Sequence, residues 1–165
     1  MFSGTHDLKV DPKGRVSIPV EFRRVLLDGC IPDDKGRPVL VLGAGTADSG
    51  YLEGFSTQAI EALQAEIRTL KRSSQRRFLL EELYFGNVTN FQVDDNGRIV
   101  LPQALRDQIG LGEDARFVGY GDRFEIWNRA THQQVRGTPV SSFLKAKGLG
   151  YNPLALLDED EEEGG

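Results

Sequence analysis

A thirteen-residue pattern occurs twice in this chain. Asp11-Pro12-Lys13-Gly14-Arg15-Val16-Ser17-Ile18-Pro19-Val20-Glu21-Phe22-Arg23 returns 83 positions later as Asp94-Asp95-Asn96-Gly97-Arg98-Ile99-Val100-Leu101-Pro102-Gln103-Ala104-Leu105-Arg106. The Asp, Gly, Arg, Pro and final Arg are identical. Val16/Ile99, Ile18/Leu101 and Phe22/Leu105 exchange one apolar side chain for another, and the match extends upstream through Leu8/Phe91 and Val10/Val93. Two copies are too few for a solenoid, so the repeat implies a duplicated half-domain whose halves pair.

Each copy reads as strand, turn, strand, helix. Leu8, Val10, Val16 and Ile18 alternate with polar Lys9 and Ser17, the period of half-buried strands. Asp11 to Gly14 is turn-rich, with Gly14 able to take a positive φ, so a β-hairpin with this loop at its tip is predicted. Pro19 suits the first turn of a short helix carrying Phe22, Val25 and Leu26, with Gly29 ending it. Pro32 to Pro38 reads as a polar loop. Val39–Leu42 and Tyr51–Phe55 form a second predicted hairpin across a Gly/Ala/Ser/Asp connection. In the second copy, residues 88–93 and 98–101 are the hairpin around Asn96-Gly97, Pro102 to Gln108 the short helix, and Arg116–Tyr120 with Arg123–Trp127 the closing hairpin.

Between the copies the period changes. Ser56 or Thr57 caps a predicted helix carrying Ile60, Leu63, Ile67 and Leu70 to about Lys71, and Ser73 or Ser74 caps another that closes near Gly86. Asn128 is predicted to cap a last helix reaching about Arg136. The organisation expected is a first half over 1–55, a helical insert over 56–86, a second half with a terminal helix over 87–136, and an acidic, disordered tail over 137–165.

The net charge of −5 argues at first against a polyanionic partner. Asp158 to Glu163 are six consecutive acids, however, and without them 20 bases face 19 acids. The folded part is near neutral, so nucleic acid stays open. Hydrophobic content of 39% suits a soluble globular protein. No apolar run is long enough to span a membrane, and the first residues lack the pattern of a signal peptide. The lone Cys30 fits a reducing cytoplasm.

Asp-x-x-Gly-Arg admits a purely architectural reading, in which Asp caps the turn, Gly supplies the φ and Arg pairs with Asp. Charge distinguishes the copies. The first loop holds Asp11, Lys13 and Arg15, a local +1; the second holds Asp94, Asp95 and Arg98, a local −1. A phosphate-binding surface favours the first. The bases Arg68, Lys71, Arg72, Arg76 and Arg77 read as the solvated face of a helix pair. His6 and His132 lack partners at ligand spacing, and no phosphate loop or nucleophile elbow appears, so neither a metal, a cofactor, a small-molecule substrate nor an enzyme is expected.

The doubled motif, together with Met1-Phe2-Ser3-Gly4 and the helical insert, resembles the MraZ family, a duplicated member of the AbrB/SpoVT swapped-hairpin group. The resemblance covers residues 1 to about 136. It implies an α+β fold in which two AbrB-like hairpin half-domains interleave into a pseudo-twofold barrel. It also implies ring-like homo-oligomers and a transcriptional regulator, nucleoid-associated, acting on promoter repeats of the bacterial division and cell-wall gene cluster. The DNA-contacting loops carried over are Asp11, Lys13, Gly14 and Arg15, then Asp94, Asn96, Gly97 and Arg98; Asn96 stands where the first loop has Lys13. An oligomeric protein-interaction scaffold and an antitoxin-like protein of the same fold are the rival readings.

Overall fold

The computed structural model describes residues 1–29, 32–43 and 49–159. Among these residues the strands are β1 (Thr5–Lys9), β2 (Arg15–Ser17), β3 (Val39–Gly43), β4 (Tyr51–Phe55), β5 (Val88–Gln92), β6 (Arg98–Val100), β7 (Asp114–Gly119) and β8 (Phe124–Asn128). Six form one antiparallel sheet in the order β1-β7-β8-β4-β3-β5, and β2 pairs with β6 in a separate ribbon. Helices α1 (Val20–Asp28) and α4 (Gln103–Gln108) follow the two ribbon strands. Pro19 and Pro102 stand just before them, where a missing N–H removes no helix bond.

The pairing shows how the duplication is used. β1 lies against β7 of the other half, and β5 against β3, so each half lends its first strand to the other's hairpin. The ribbon pairs Val16 with Ile99, residues 83 apart, which puts the pseudo-twofold axis between identical positions of the repeat. The predicted pairing within each first hairpin survives only at its turn. Val10 bridges Val16 and Asp11 N–H donates to Arg15 O at 3.0 Å, after which β1 departs for β7. Alternation identifies a strand but not its partner.

Burial follows the alternation. Val16 and Ile99 are each 1% exposed, while Arg15, Ser17, Arg98 and Val100 share the ribbon's other face. Beneath the ribbon lie Ile18, Leu101, Phe22, Leu26 and the sheet's inner face. Phe2, Phe22 and Phe124 pack mutually with ring centroids 4.9 to 5.2 Å apart. Truncating Phe22, which has no exposure at all, is the kind of change that costs about 3–5 kcal/mol.

The insert comprises α2 (Thr57–Ile67) and α3 (Gln75–Glu81), the latter widening into a π turn over Glu82–Gly86. Ser56 Oγ accepts from Ala59 N–H and Ser74 Oγ from Arg77 N–H, both at 3.1 Å, as the cap residues predict. α2 stops at Ile67, before the predicted Lys71. Arg77 accounts for the following bend: its guanidinium donates to Arg68 O and Leu70 O, satisfying carbonyls a longer helix would have used.

Ile60 packs with Val41 and Phe55, and Tyr84 O–H donates to Glu53 Oε1 at 2.6 Å. Burial first, and then this bond, push the Tyr84 phenol above its ordinary pKa. Tyr84→Phe keeps the ring and removes the bond to a carboxylate. The expected loss is about 1–2 kcal/mol in a urea unfolding series; an unchanged midpoint would show that the bond stabilises nothing.

Met1–Arg129 and the residues from Ala130 onward form two units. The predicted last helix is a single turn, α5 (Arg129–His132), which starts on the last residue of the first unit and widens into a π turn over Gln133–Gly137. The expectation of disorder from 137 meets a helix instead: α6 spans Thr138–Lys147, followed by a 3₁₀ turn over Pro153–Asp158. Gly137-Thr138-Pro139 suggests a break, but Pro139 lies in the first turn of α6, where proline is tolerated. The Lys147 ammonium lies 5.6 and 5.5 Å from the ring centroids of Phe143 and Tyr151. Most of the acidic run, from Asp160, lies outside the described residues, as does Cys30. Among the described residues no helix is long and apolar enough to cross a membrane.

Candidate nucleic-acid interface

Both motif loops are built alike. In the first, Asp11 Oδ1 accepts from the N–H of Lys13 at 3.0 Å and of Arg15 at 2.8 Å, and Gly14 N–H donates to Asp11 O at 2.9 Å with φ +86°. In the second, Asp94 Oδ1 accepts from Asn96 N–H at 2.8 Å and Arg98 N–H at 3.0 Å, and Gly97 N–H donates to Asp94 O at 2.9 Å with φ +76°. The architectural reading of the Asp and the Gly therefore holds in full at both places.

The arginines differ. Arg15 Nε donates to Asp11 Oδ2 at 2.5 Å, whereas Arg98 Nε stands 3.8 Å from Asp94 Oδ2 and makes no hydrogen bond. Lys13 is exposed and forms no ion pair among the described residues. Because Arg15 pairs with Val100 and Ser17 with Arg98, the two arginines are diagonal neighbours on one exposed ribbon face. Their backbones stand about 7–8 Å apart.

The last arginine of each motif has a different task. Leu101 N–H donates to Gly14 O and Ile18 N–H to Gly97 O, both at 2.8 Å, so each tip is stitched to the other half. Arg106 lies against Gly14 while its Nε donates to Leu101 O at 3.0 Å, and Arg23 lies against Gly97. Arg23 and Arg106 buttress the opposite loops.

A third loop of the same build lies within the stretch Pro32 to Pro38, which reads from sequence as a polar loop. Asp33-Asp34-Lys35-Gly36-Arg37 repeats Asp-x-x-Gly-Arg. Asp33 Oδ1 accepts from Lys35 N–H at 2.9 Å and Arg37 N–H at 2.7 Å; Arg37 Nε donates to Asp33 Oδ2 at 2.9 Å; Gly36 has φ +75°. The five-residue pattern itself was the signal, hidden because no alternating strand precedes it.

In all three turns the Asp carboxyl is held below the ordinary aspartate value, above all by the backbone N–H of the Arg four residues on. A depressed folded pKa contributes stability that is present above the unfolded value and lost as pH falls through the folded one. Carboxyl carbon titrations of Asp11, Asp33 and Asp94 are accordingly expected to show midpoints below about 3.9. Midpoints at or above that value would contradict the hydrogen-bonded turns.

Two strand–turn–strand–helix units that exchange strands and share one ribbon define an internally duplicated α+β protein with its signature loops at the ribbon's two ends. The family model described as "MraZ protein, putative antitoxin-like" matches residues 1–80 and 84–145. A protein of Ruegeria pomeroyi named transcriptional regulator MraZ is 39% identical over 159 residues, 95% of each chain. Proteins of that name from Cereibacter sphaeroides and Saccharophagus degradans are 36% identical over 96% of each chain, and 34% identical over 78% of this chain and 82% of theirs. This chain belongs to the MraZ family.

Proposed function

We propose that this protein is a sequence-specific DNA-binding transcriptional regulator, not an enzyme, that meets DNA through the two ends of its β2–β6 ribbon. The observation that carries the reading is the placement of Arg15 and Arg98 on one exposed face of a two-stranded ribbon. A ribbon of that width enters a major groove, where arginine forks guanine O6 and N7. The name printed for the relatives supports the same class. Asp11, Lys13, Gly14 and Arg15, with Asp94, Asn96, Gly97 and Arg98, are the proposed interface. Asp and Gly shape each loop, and the cations touch DNA.

One protomer offers few phosphate contacts and binds weakly alone. Ring-like homo-oligomers presenting identical ribbons to successive short promoter repeats would turn weak contacts into avidity. We assign those repeats to the bacterial division and cell-wall gene cluster and the protein to the cytoplasm, associated with the nucleoid; the family resemblance supports this reading. The fold proposed for that role is the swapped-hairpin barrel, with halves over 1–55 and 87–136, the insert over 56–86, and an acidic end, Asp158 to Glu163, whose charge keeps the assembly soluble.

A second reading, a scaffold or antitoxin-like protein that holds a protein partner, is favoured by one observation. Phe78 and Leu79 of the insert are 60% and 51% exposed, an apolar face suited to protein contact. A binding selection for DNA sequence on the intact oligomer separates the two. Recovery of a short repeated box, with affinity falling steeply as salt rises, is the expected result. Recovery of no sequence preference would reject the regulator reading in favour of the scaffold.

A further inference from the structure

The geometry points to Lys35, on the third Asp-x-x-Gly-Arg turn, as a DNA-phosphate contact that serves the second ribbon end in place of the lysine missing at Asn96. This rests on the ribbon-end reading of DNA binding and extends it to a residue outside the duplicated motif.

The turn is an addition to the first half alone. Matched residues stand 83 apart at Val16 and Ile99 but 75 apart at Val39 and Asp114, which occupy equivalent places in the β3–β5 and β7–β1 pairings. Eight more residues therefore separate Val16 from Val39 than Ile99 from Asp114; some lengthen α1 relative to α4, and Asp33 to Arg37 lie in the longer connection that follows α1. They are fastened beside the second loop. Val93 N–H donates to Pro38 O at 3.1 Å, Arg37 donates to Gln92 Oε1 at 3.1 Å, and Gln92 Nε2 donates to Asp33 Oδ2 at 2.8 Å. Asp94 follows two residues after Gln92.

The equivalent place at the first end is acidic. Val10 N–H, the counterpart of Val93 N–H, donates to Glu113 O at 2.8 Å, and Lys9 is tied to Asp114 at 2.6 Å. With these flanks included, the first end holds Lys9, Lys13 and Arg15 against Asp11, Glu113 and Asp114. The second holds Lys35, Arg37 and Arg98 against Asp33, Asp34, Asp94 and Asp95. The charge gap between loops alone is two; between whole ends it is one. Each end also keeps one exposed lysine without an ion pair among the described residues, Lys13 and Lys35, at the same position of the same turn. Since both lysines use only their backbone N–H within the turn, their ammonium groups are available to phosphate.

The test compares salt slopes of binding to the selected repeat DNA for wild type, Lys35→Ala, Arg15→Ala, and Lys35→Ala/Asn96→Lys. Losing one phosphate contact lowers the slope by about 0.9 for each ribbon engaged, with little change in which sequence is preferred. Lys35→Ala is expected to show that loss, and Asn96→Lys to restore it. Matched thermal unfolding curves confirm that the turn still folds. A wild-type slope in Lys35→Ala, while Arg15→Ala loses binding, overturns the assignment but leaves the ribbon reading standing. Wild-type behaviour in both variants overturns the two together.

Discussion

Arg15→Ala is expected to lower affinity for the repeat DNA by about one to two orders of magnitude per engaged ribbon, through loss of a bidentate contact of about 1–3 kcal/mol. Arg98→Ala is expected to cost less. The difference has two sources. Truncating Arg15 leaves Asp11 with its carboxylate still gathered by the amides of Lys13 and Arg15, so the loop persists but presents an uncompensated negative charge. At the second end Arg98 is already 3.8 Å from Asp94, so its removal unmasks a carboxylate that was poorly neutralised to begin with. Because Lys35 and Arg37 flank that end, the contrast should be smaller than the loop charges alone suggest. Titrations of both variants at one salt concentration decide it. Equal losses would reject the asymmetry, and no loss in either would reject recognition by the ribbon ends.

The architecture was legible where duplication leaves identical neighbours. An offset of 83 names Val16 and Ile99 as equivalent, and equivalent residues are what a twofold axis brings together in the ribbon. Helix caps were legible for a local reason: Ser56 and Ser74 need only the next turn of chain to satisfy their hydroxyls. Strand exchange was not legible from alternation. Leu8 and Val10 alternate in the same way whether β1 lies on β2 or on β7, and only the pairing of Leu8 with Ala115 settles which. At the candidate interface the turn-forming roles of Asp and Gly were legible, but the reason for the repeated final arginine was not. Arg23 and Arg106 act across the two halves, 74 and 92 positions from the glycines they cover, beyond the reach of any local pattern. The third turn shows the opposite case: the pattern Asp33-x-x-Gly36-Arg37 is fully local, but without an alternating strand before it the stretch reads only as a polar loop.

Gly14→Ala, Gly97→Ala and Gly36→Ala are expected to destabilise the protein in that descending order, although all three glycines hold φ between +75° and +86° in turns with the same hydrogen bonds. The conformational penalty for placing alanine in the left-handed region, about 1–2 kcal/mol, is common to all three. Their surroundings are not. A Cβ on Gly36 meets nothing, so Gly36→Ala should lose only that amount. A Cβ on Gly97 meets the guanidinium of Arg23, the far end of a side chain that can swing aside at some cost. A Cβ on Gly14 meets the backbone oxygen of Leu101 as well as Arg106, and Leu101 cannot withdraw without breaking its N–H bond to Gly14 O. That position joins the two halves, so the strain falls on the ribbon and not on one loop; a total of about 3 kcal/mol or more is expected, adding overpacking to the φ penalty. Urea midpoints with unchanged m-values test the order. Equal losses at Gly14 and Gly36 would show that the glycines serve the turn alone, and that the stitch between Leu101 and Gly14 contributes nothing to holding the halves together.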